Sequence, residues 1–299
     1  MGKLSEWTHR IITTDGQFVY NCGYVRSFDP RTAPASSKPY DVSLIGVIGG
    51  KHTVEIPTHF NGRRIKEVHH FTIYEKTDAA RFPADAPSFL PSVFCPDLRN
   101  LANWQAPENE LPSPSVLTPS RNACCDSVTV LNTVLGTEAF QKARIRTVKL
   151  STRSVKLPAR AFFDCAELSH VELVTSYTEI GSECFAFCRR LKQIALPDSV
   201  TTIKQSAFAH CGLTSVILPE SVRQIQESAF FGCTELKAVA IPKTVESIAA
   251  SAFSVCPQVH IISAVGSYGE EYASKNHLPF LPYEYVLTEI LKDRSQYPV

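Results

Sequence analysis

Ten cysteines and nine histidines are the side chains of this 299-residue sequence with the widest chemical range. Five of the cysteines, Cys165, Cys188, Cys211, Cys233 and Cys256, recur at steps of 23, 23, 22 and 23 residues. A metal needs about four ligands converging on one point, and a single column offers two neighbours at best. Disulfides along the column fall within bridging range if successive units stack ~5 Å apart. Side chains of a ladder point the same way, however, and not at each other, which leaves a small buried residue at a tight turn. Cys124 and Cys125 are adjacent and cannot supply C-x-x-C chemistry. His170 and Glu172 stand two residues apart, with Asp164 and Cys165 nearby in sequence. A Cys/His nucleophile pair would use such an arrangement, but Cys165 belongs to the repeating column. The sequence holds no G-x-x-x-x-G-K-[ST], H-E-x-x-H, G-x-S-x-G or G-x-G-x-x-G. The expectation is a protein that is not an enzyme, with no catalytic, cofactor-binding or metal-binding residues.

The column points to the elements that position it. Three residues before each of the five cysteines stands a phenylalanine: Phe162, Phe185, Phe208, Phe230 and Phe253. Phe140 continues the series upstream, with Ala143 at the cysteine position. Leu168, Leu191, Leu213, Leu236 and Val259 follow the cysteines, and then come Val171/Leu173, Ile194/Leu196, Val216/Leu218 and Val239/Ile241. Pro197, Pro219 and Pro242 close those runs, and Val200, Val222 and Val245 precede Ile203, Ile225 and Ile248. The V-x-L run has the period of a short strand with one face inward. Proline ends it, because it has no N–H for a ladder. The second apolar pair and the A-F-x-x-C segment return the chain along the other side. One such unit cannot bury its apolar face, whereas stacked units share a continuous core.

The unit L-x-x-V-x-L-P-x-S-V-x-x-I-x-x-x-A-F-x-x-C resembles the BspA-type leucine-rich repeat, a 23-residue class. Residues 54–68 resemble that family's first unit and residues 266–280 its closing unit, so the resemblance covers roughly residues 41–282. It implies a mainly β repeat protein: a leucine-rich-repeat solenoid with short strands and short helical or 3-10 turns, capped at both ends. It also implies protein or ligand recognition, with no particular partner.

The organisation follows. Residues 1–40 read as an N-terminal segment and loop, 41–75 as an N-terminal capping unit, and 123–264 as the repeats. Residues 76–122 hold eight of the twenty prolines and read as an insertion, either a solvated linker or, the favoured reading, an ordered segment held on the solenoid. Within it Cys95, Leu98 and Leu101 suggest a degenerate unit over 89–104, with poorly formed turns near 105–140. Residues 265–299 read as a C-terminal cap and tail. Ser267 and Glu270 form a capping box there, opening a short helix with Tyr268, Tyr272 and Ala273 on one face. Val286, Leu287, Ile290 and Leu291 stand at helical spacing, so the 283–299 tail either packs back on the solenoid or docks on another subunit.

The net charge of +1, from 30 basic and 29 acidic residues, argues against nucleic acid and against a polybasic membrane patch. No apolar run approaches the roughly 18 residues of a membrane span. The first residues have no apolar export segment, and Glu6 holds the hydroxyl position of a myristoylation motif. An intracellular location and a protein partner are therefore expected, with the cell surface as the alternative. The outward positions of the V-x-L runs are the partner-binding candidates. One column takes Glu172, Ala195, Ile217, Ala240 and Ser263, and its neighbour takes His170, Gln193, Ser215, Ala238 and Ile261. The middle of this face is small and apolar, the mark of a contact site unless the tail or the insertion covers it.

Overall fold

The computed structural model describes residues 8–14, 18–26, 42–48, 53–60, 63–77, 116–119 and 124–283. Strands β1 (Thr8–Thr14), β2 (Phe18–Arg26) and β3 (Val42–Ile48) form an antiparallel meander. Then come β4 (Thr53–Ile56), β5 (His59–Phe60) and the long β6 (Arg63–Thr77), followed by β7 (Val116–Pro119). Strand β6 belongs to two structures at once. Glu67 and Val68 pair with the repeat that follows, while β6 also pairs with β3 in parallel and with β7 antiparallel. The meander thereby extends the stack beyond its first coil, with Leu44 and Val47 fully buried.

The repeats form two parallel ladders. The first contains β4, β8 (Cys125–Leu131), β10 (Ile145–Ser151) and β12 (His170–Leu173). It resumes with β15 (Ser215–Ile217), β17 (Ala238–Ala240) and β19 (His260–Ser263), and ends on β20 (Phe280–Pro282). The second ladder is narrower. It runs through β11 (Lys156–Leu157), β13 (Glu179–Ile180), β14 (Thr202–Ile203), β16 (Gln224–Ile225) and β18 (Ser247–Ile248), with β9 (Val134–Leu135) paired to β6. The predicted proline corner lies between the ladders. There Val200, Val222 and Val245 donate their N–H to Pro197, Pro219 and Pro242, at 3.1, 3.0 and 3.2 Å.

The third side carries the phenylalanine column. Its backbone alternates between two kinds of bond. The N–H of Phe140, Phe162, Phe185, Phe208 and Phe230 each donates to the next coil, at 2.7–2.8 Å. Neighbouring N–H groups close tight turns within the coil, such as Cys188 to Phe185 at 3.2 Å. Two residues in most coils adopt left-handed backbone to permit this, for example Glu183 (φ 53) and Phe187 (φ 64) around Phe185. The side is thus built from hydrogen-bonded turns and not from helical ones. Inside it the rings of Phe140, Phe162, Phe185, Phe208, Phe230 and Phe253 stack nearly parallel, with centroids 5.0–5.5 Å apart.

Two expectations upstream change. Phe71 joins the ring column, 5.2 Å from Phe140, and its N–H donates to Ala139 at 2.6 Å. The coil over 53–71 is bonded directly to that over 125–143: Val54 pairs with Val128 and Val68 with Leu135. A degenerate unit over 89–104 therefore does not stand in the stack between them; residues 89–104 themselves lie outside the described residues. The coil over 125–143, read as poorly formed, has both strands and the ring. Of the proline-rich stretch 76–122 only residues 76, 77 and 116–119 are among those described, and residues 27–41 and 284–299 lie outside them.

At the far end α1 (Tyr268–Lys275) closes the stack. Tyr272 sets its ring edge-on to Phe253 at 5.9 Å, and Ala273 is fully buried. Ser267 caps the helix as expected, accepting from the Glu270 N–H at 3.4 Å. The return bond differs from the box: Glu270 Oε2 accepts from the N–H of Gly266, at 2.6 Å, and not from that of Ser267.

Candidate interaction surface

The outward face of the first ladder is set by alternation: Val148, Val171, Val216 and Val239 point in, so their neighbours point out. His170, Glu172, Gln193, Ala195, Ser215 and Ile217 are exposed, and Ala238 and Ala240 are half-buried. Paired register brings Ser215 beside Ala238 and Ile217 beside Ala240. Gln193 and Ala195 were expected on a strand. They lie instead where the ladder is interrupted, between β12 and β15, on a coil without strand pairing there.

Ile261 is corrected. It pairs with Val239, points inward and is fully buried. The cause is a one-residue shortening between Cys256 and the strand: the inward residue comes six places after Cys233 but five after Cys256. A slip of one residue turns every side chain of a strand to the other face. Ser263 is buried for the same reason, donating to Ile241 O at 2.7 Å. His260 and Ile262, which the sequence reading missed, take the outward positions beside Ala238 and Ala240. Counting from the cysteine to the first apolar residue of the strand would have found them.

A similar shortening follows Cys211, where Gly212 absorbs it. A Cβ on Gly212 would stand 2.0 Å from the carbonyl oxygen of Arg189, so only glycine lets the two coils approach this closely.

The face is divided chemically. Toward the N-terminus it carries Thr129, Lys149 and Glu172, with Lys149 Nζ donating to Glu172 at 2.8 Å. Toward the C-terminus it carries Ala195, Ile217, Ala240 and Ile262. Ile217 keeps 76% of its surface exposed, and Val174 and Val265 keep 52% and 64%.

The cysteine column has a physical role that spacing alone did not reveal. Each thiol donates to the carbonyl of a phenylalanine in the preceding coil. Cys165, Cys188, Cys211, Cys233 and Cys256 reach Phe140, Phe162, Phe185, Phe208 and Phe230 at 2.9, 3.2, 2.9, 3.1 and 3.1 Å. An S–H in this place fills the turn and satisfies a buried carbonyl. Burial pushes the thiols of Cys165, Cys184 and Cys211 well above the ordinary range, opposite to what a nucleophile needs. Among the described residues no group of three or more His, Cys, Asp or Glu side chains is placed to hold a metal. His170 and Glu172 are exposed while Cys165 is buried in the column, so the imagined nucleophile pair does not assemble.

A second row of side chains escaped the sequence reading. On the turn side Phe163, Phe187, His210 and Phe231 follow one another with ring centroids 5.4, 4.7 and 5.3 Å apart. Arg160 lies 4.4 Å over Phe163 and pairs with Glu138 at 3.0 Å. His210 sits where a Cβ on Gly232, at φ +69, would meet its ring at 2.5 Å. These residues are half-buried and lap over the turns as a cover.

Among the described residues no helix is long and apolar enough to cross a membrane. No curated protein matches the chain significantly. Similar solved structures are leucine-rich repeat proteins. One, from Bacteroides ovatus, shares 18% identity over 83% of this chain and 46% of its own, with a TM-score of 0.46. One from T. pallidum shares 20% over 80% of this chain and 76% of its own, with a TM-score of 0.40. A leucine rich cell surface protein from Faecalibacterium prausnitzii shares 15% over 91% and 98%, with a TM-score of 0.30. The chain thus spans less than half the length of the Bacteroides ovatus protein. The BspA type leucine rich repeat region matches residues 124–237 and 201–270, in 6 copies. With its parallel ladders and stacked rings, the region 124–270 is built of BspA-type leucine-rich repeats, a fold of the protein-interaction kind.

Proposed function

We propose that this protein is a non-catalytic interaction subunit that binds a protein partner through the strand face. The surface comprises His170, Glu172, Gln193, Ala195, Ser215, Ile217, Ala238 and Ala240, with His260 and Ile262 in place of Ile261. The observation that carries the reading is Ile217, an isoleucine 76% exposed with alanines on the coils to either side. A large apolar residue on an open, flat sheet marks a contact, and small flanking residues let a partner approach the backbone. Lys149 and Glu172 would set orientation at the polar end, where exposed charges contribute specificity more than affinity.

The test is Ile217→Asp with Ala240→Asp in affinity purification at native expression level, with quantitative mass spectrometry. The partner recovered with the unaltered chain falls at least about tenfold, as burying a charged group at an interface centre requires. Unchanged folding with every partner retained would remove the strand-face reading. An intracellular location is part of the proposal. Thiols that serve as hydrogen-bond donors must stay reduced, which suits a reducing compartment. Labelling of the protein on intact cells by an impermeant reagent would assign it to the surface instead.

A further inference from the structure

The first ladder is not one sheet but two. Strands β4, β8, β10 and β12 form one, and β15, β17, β19 and β20 the other. The coil between them, residues 191–197, keeps its place in the core, since Leu191 and Ile194 are buried like Leu168 and Val171. Yet among the described residues the backbone N–H and carbonyl groups of Gln193, Ile194, Ala195 and Leu196 make no hydrogen bond. Elsewhere the strand side opens with a bond between coils. The N–H of Ser169 donates to Arg146 O, that of Lys237 to Thr214 O and that of His260 to Lys237 O, each at 2.9 Å. The equivalent bond from Lys192 to Ser169 is not made.

The other two sides run through the same coil without a break. On the second ladder Glu179 pairs with Thr202 and Ile180 with Ile203. On the turn side Phe162 N–H donates to Cys184 O and Phe185 N–H to Ala207 O, both at 2.8 Å, and the rings of Phe162, Phe185 and Phe208 stay stacked. Arg190 still reaches Glu167 at 2.5 Å, just before the strand side begins. Beyond it the chain is tied only downstream: Lys192 O accepts from Thr214 N–H at 3.0 Å, and Lys192 Nζ meets Glu235 at 2.5 Å. The coils are thus bonded on two sides and parted on the third, between β12 and Lys192. Each coil of a solenoid is held only by its neighbours, so a missing set of ladder bonds is a local loss of stiffness. The parting also falls on the chemical boundary of the face. One sheet carries Thr129, Lys149 and Glu172, the other Ile217, Ala240 and Ile262, and Ala195 stands at the break.

We infer that the strand face is two plates hinged at residues 192–196, with the second ladder and the phenylalanine column as the axis, so that the charged and apolar halves change their angle to each other. The hinge rests on the bonding alone. That a partner fixes the angle by touching both plates rests on the partner reading above.

The experiment uses spin labels carried on p-acetylphenylalanine in the full chain, which leaves the cysteines untouched. One pair of labels replaces Lys149 and Ala240, and a second pair replaces Lys156 and Ser247. Both pairs join the same two coils, four steps or about 19 Å apart at the spacing of a ladder, the first across the break and the second along the continuous ladder. Double electron–electron resonance should give a distance distribution at least about twice as broad for the first pair as for the second. Equal widths overturn the hinge, whatever the partner does. Hydrogen exchange of the unlabelled chain reads the same feature independently. Peptides over 193–196 should exchange on the order of a hundredfold faster than those over 238–240, which are bonded on both sides, although Ile194 and Val239 are both buried. Equal protection also overturns the hinge. In the complex recovered with the unaltered chain, narrowing of the first distribution supports a partner that grips both plates, and an unchanged width removes that grip while leaving the hinge.

Discussion

Replacing Phe208 by alanine removes one ring from the middle of a stack, and the loss can be worked from its neighbours. Phe208 is fully buried, with Phe185 at 5.5 Å and Phe230 at 5.3 Å, both nearly parallel to it. Deleting a buried ring costs about 3–5 kcal/mol when the site cannot collapse. Collapse is opposed here, because Phe185 and Phe230 are each held by their own backbone bonds to the next coil, at 2.8 Å. Each stacked contact contributes about 0.5–1.5 kcal/mol beyond burial, and Phe208→Ala breaks two. In a quasi-one-dimensional array these terms belong to the interfaces between neighbouring coils and not to the molecule as a whole. The expected result is a loss of about 3–5 kcal/mol expressed as a break in cooperativity. Hydrogen-exchange mass spectrometry should show the coils from Leu213 to Ile262 losing protection while those from Ile145 to Leu173 largely keep it, and urea unfolding should become biphasic. Phe253→Ala removes the same ring next to the cap, where Tyr272 meets it edge-on at 5.9 Å, and should leave the upstream coils untouched. A loss below about 1 kcal/mol, or equal loss of protection in every coil, would refute the reasoning.

Two further perturbations test the packing. The thiols of Cys165, Cys184 and Cys211 are raised well above their ordinary 9.0, by burial first of all. Below pH 9 the folded and unfolded forms bind the same protons there; above it the unfolded chain loses them first, so stability is fully present below pH 9 and falls as pH rises. The slope is about 1.4 kcal/mol per thiol per pH unit, and urea midpoints between pH 8 and 10.5 will show it; midpoints constant across that range would mean the thiols are not buried donors. Gly212→Ala drives a methyl to within 2.0 Å of Arg189 O and should cost roughly 1–3 kcal/mol by overpacking, measured as a lowered Tm, whereas an unchanged Tm would show that the coil there has room.

The repeat was legible because its inward residues answer to copies of themselves. Cys211 donates to Phe185, and Cys188 makes the same bond one coil earlier, to Phe162. Each coil must therefore repeat the chemistry of its neighbour, and periodicity in the sequence is the direct trace of that demand. Phe71 was missed because its coil departs from the pattern: Ile65 and Val68 precede the ring, but two residues fewer separate Val68 from Phe71 and no alanine stands before it. The meander of β1, β2 and β3 repeats nothing, so period gave no hold on it. Ile261 was misplaced by the opposite error, trust in a constant register where the chain had dropped one residue.

The outward positions obey a different rule. Lys149, Glu172, Ala195, Ile217, Ala240 and Ile262 occupy successive coils of one column, yet they run from charged to apolar with no period. Stacking does not require this, because a ladder holds any outward side chain that tolerates an extended backbone. Two of the residues pair with each other, Lys149 and Glu172, but Ile217 gains nothing from the coils beside it: alanines flank it and most of its surface meets water. An isoleucine exposed in this way contributes little to folding, since its burial free energy is unspent. Hydrophobic stabilisation becomes available to it only when something else lies on the face. The same feature explains why the fold could be read from this sequence while the partner could not. The core's complement is inside the chain, and the complement of Ile217 is a second surface whose chemistry the column records only as a boundary, charged at Glu172 and apolar from Ala195 onward.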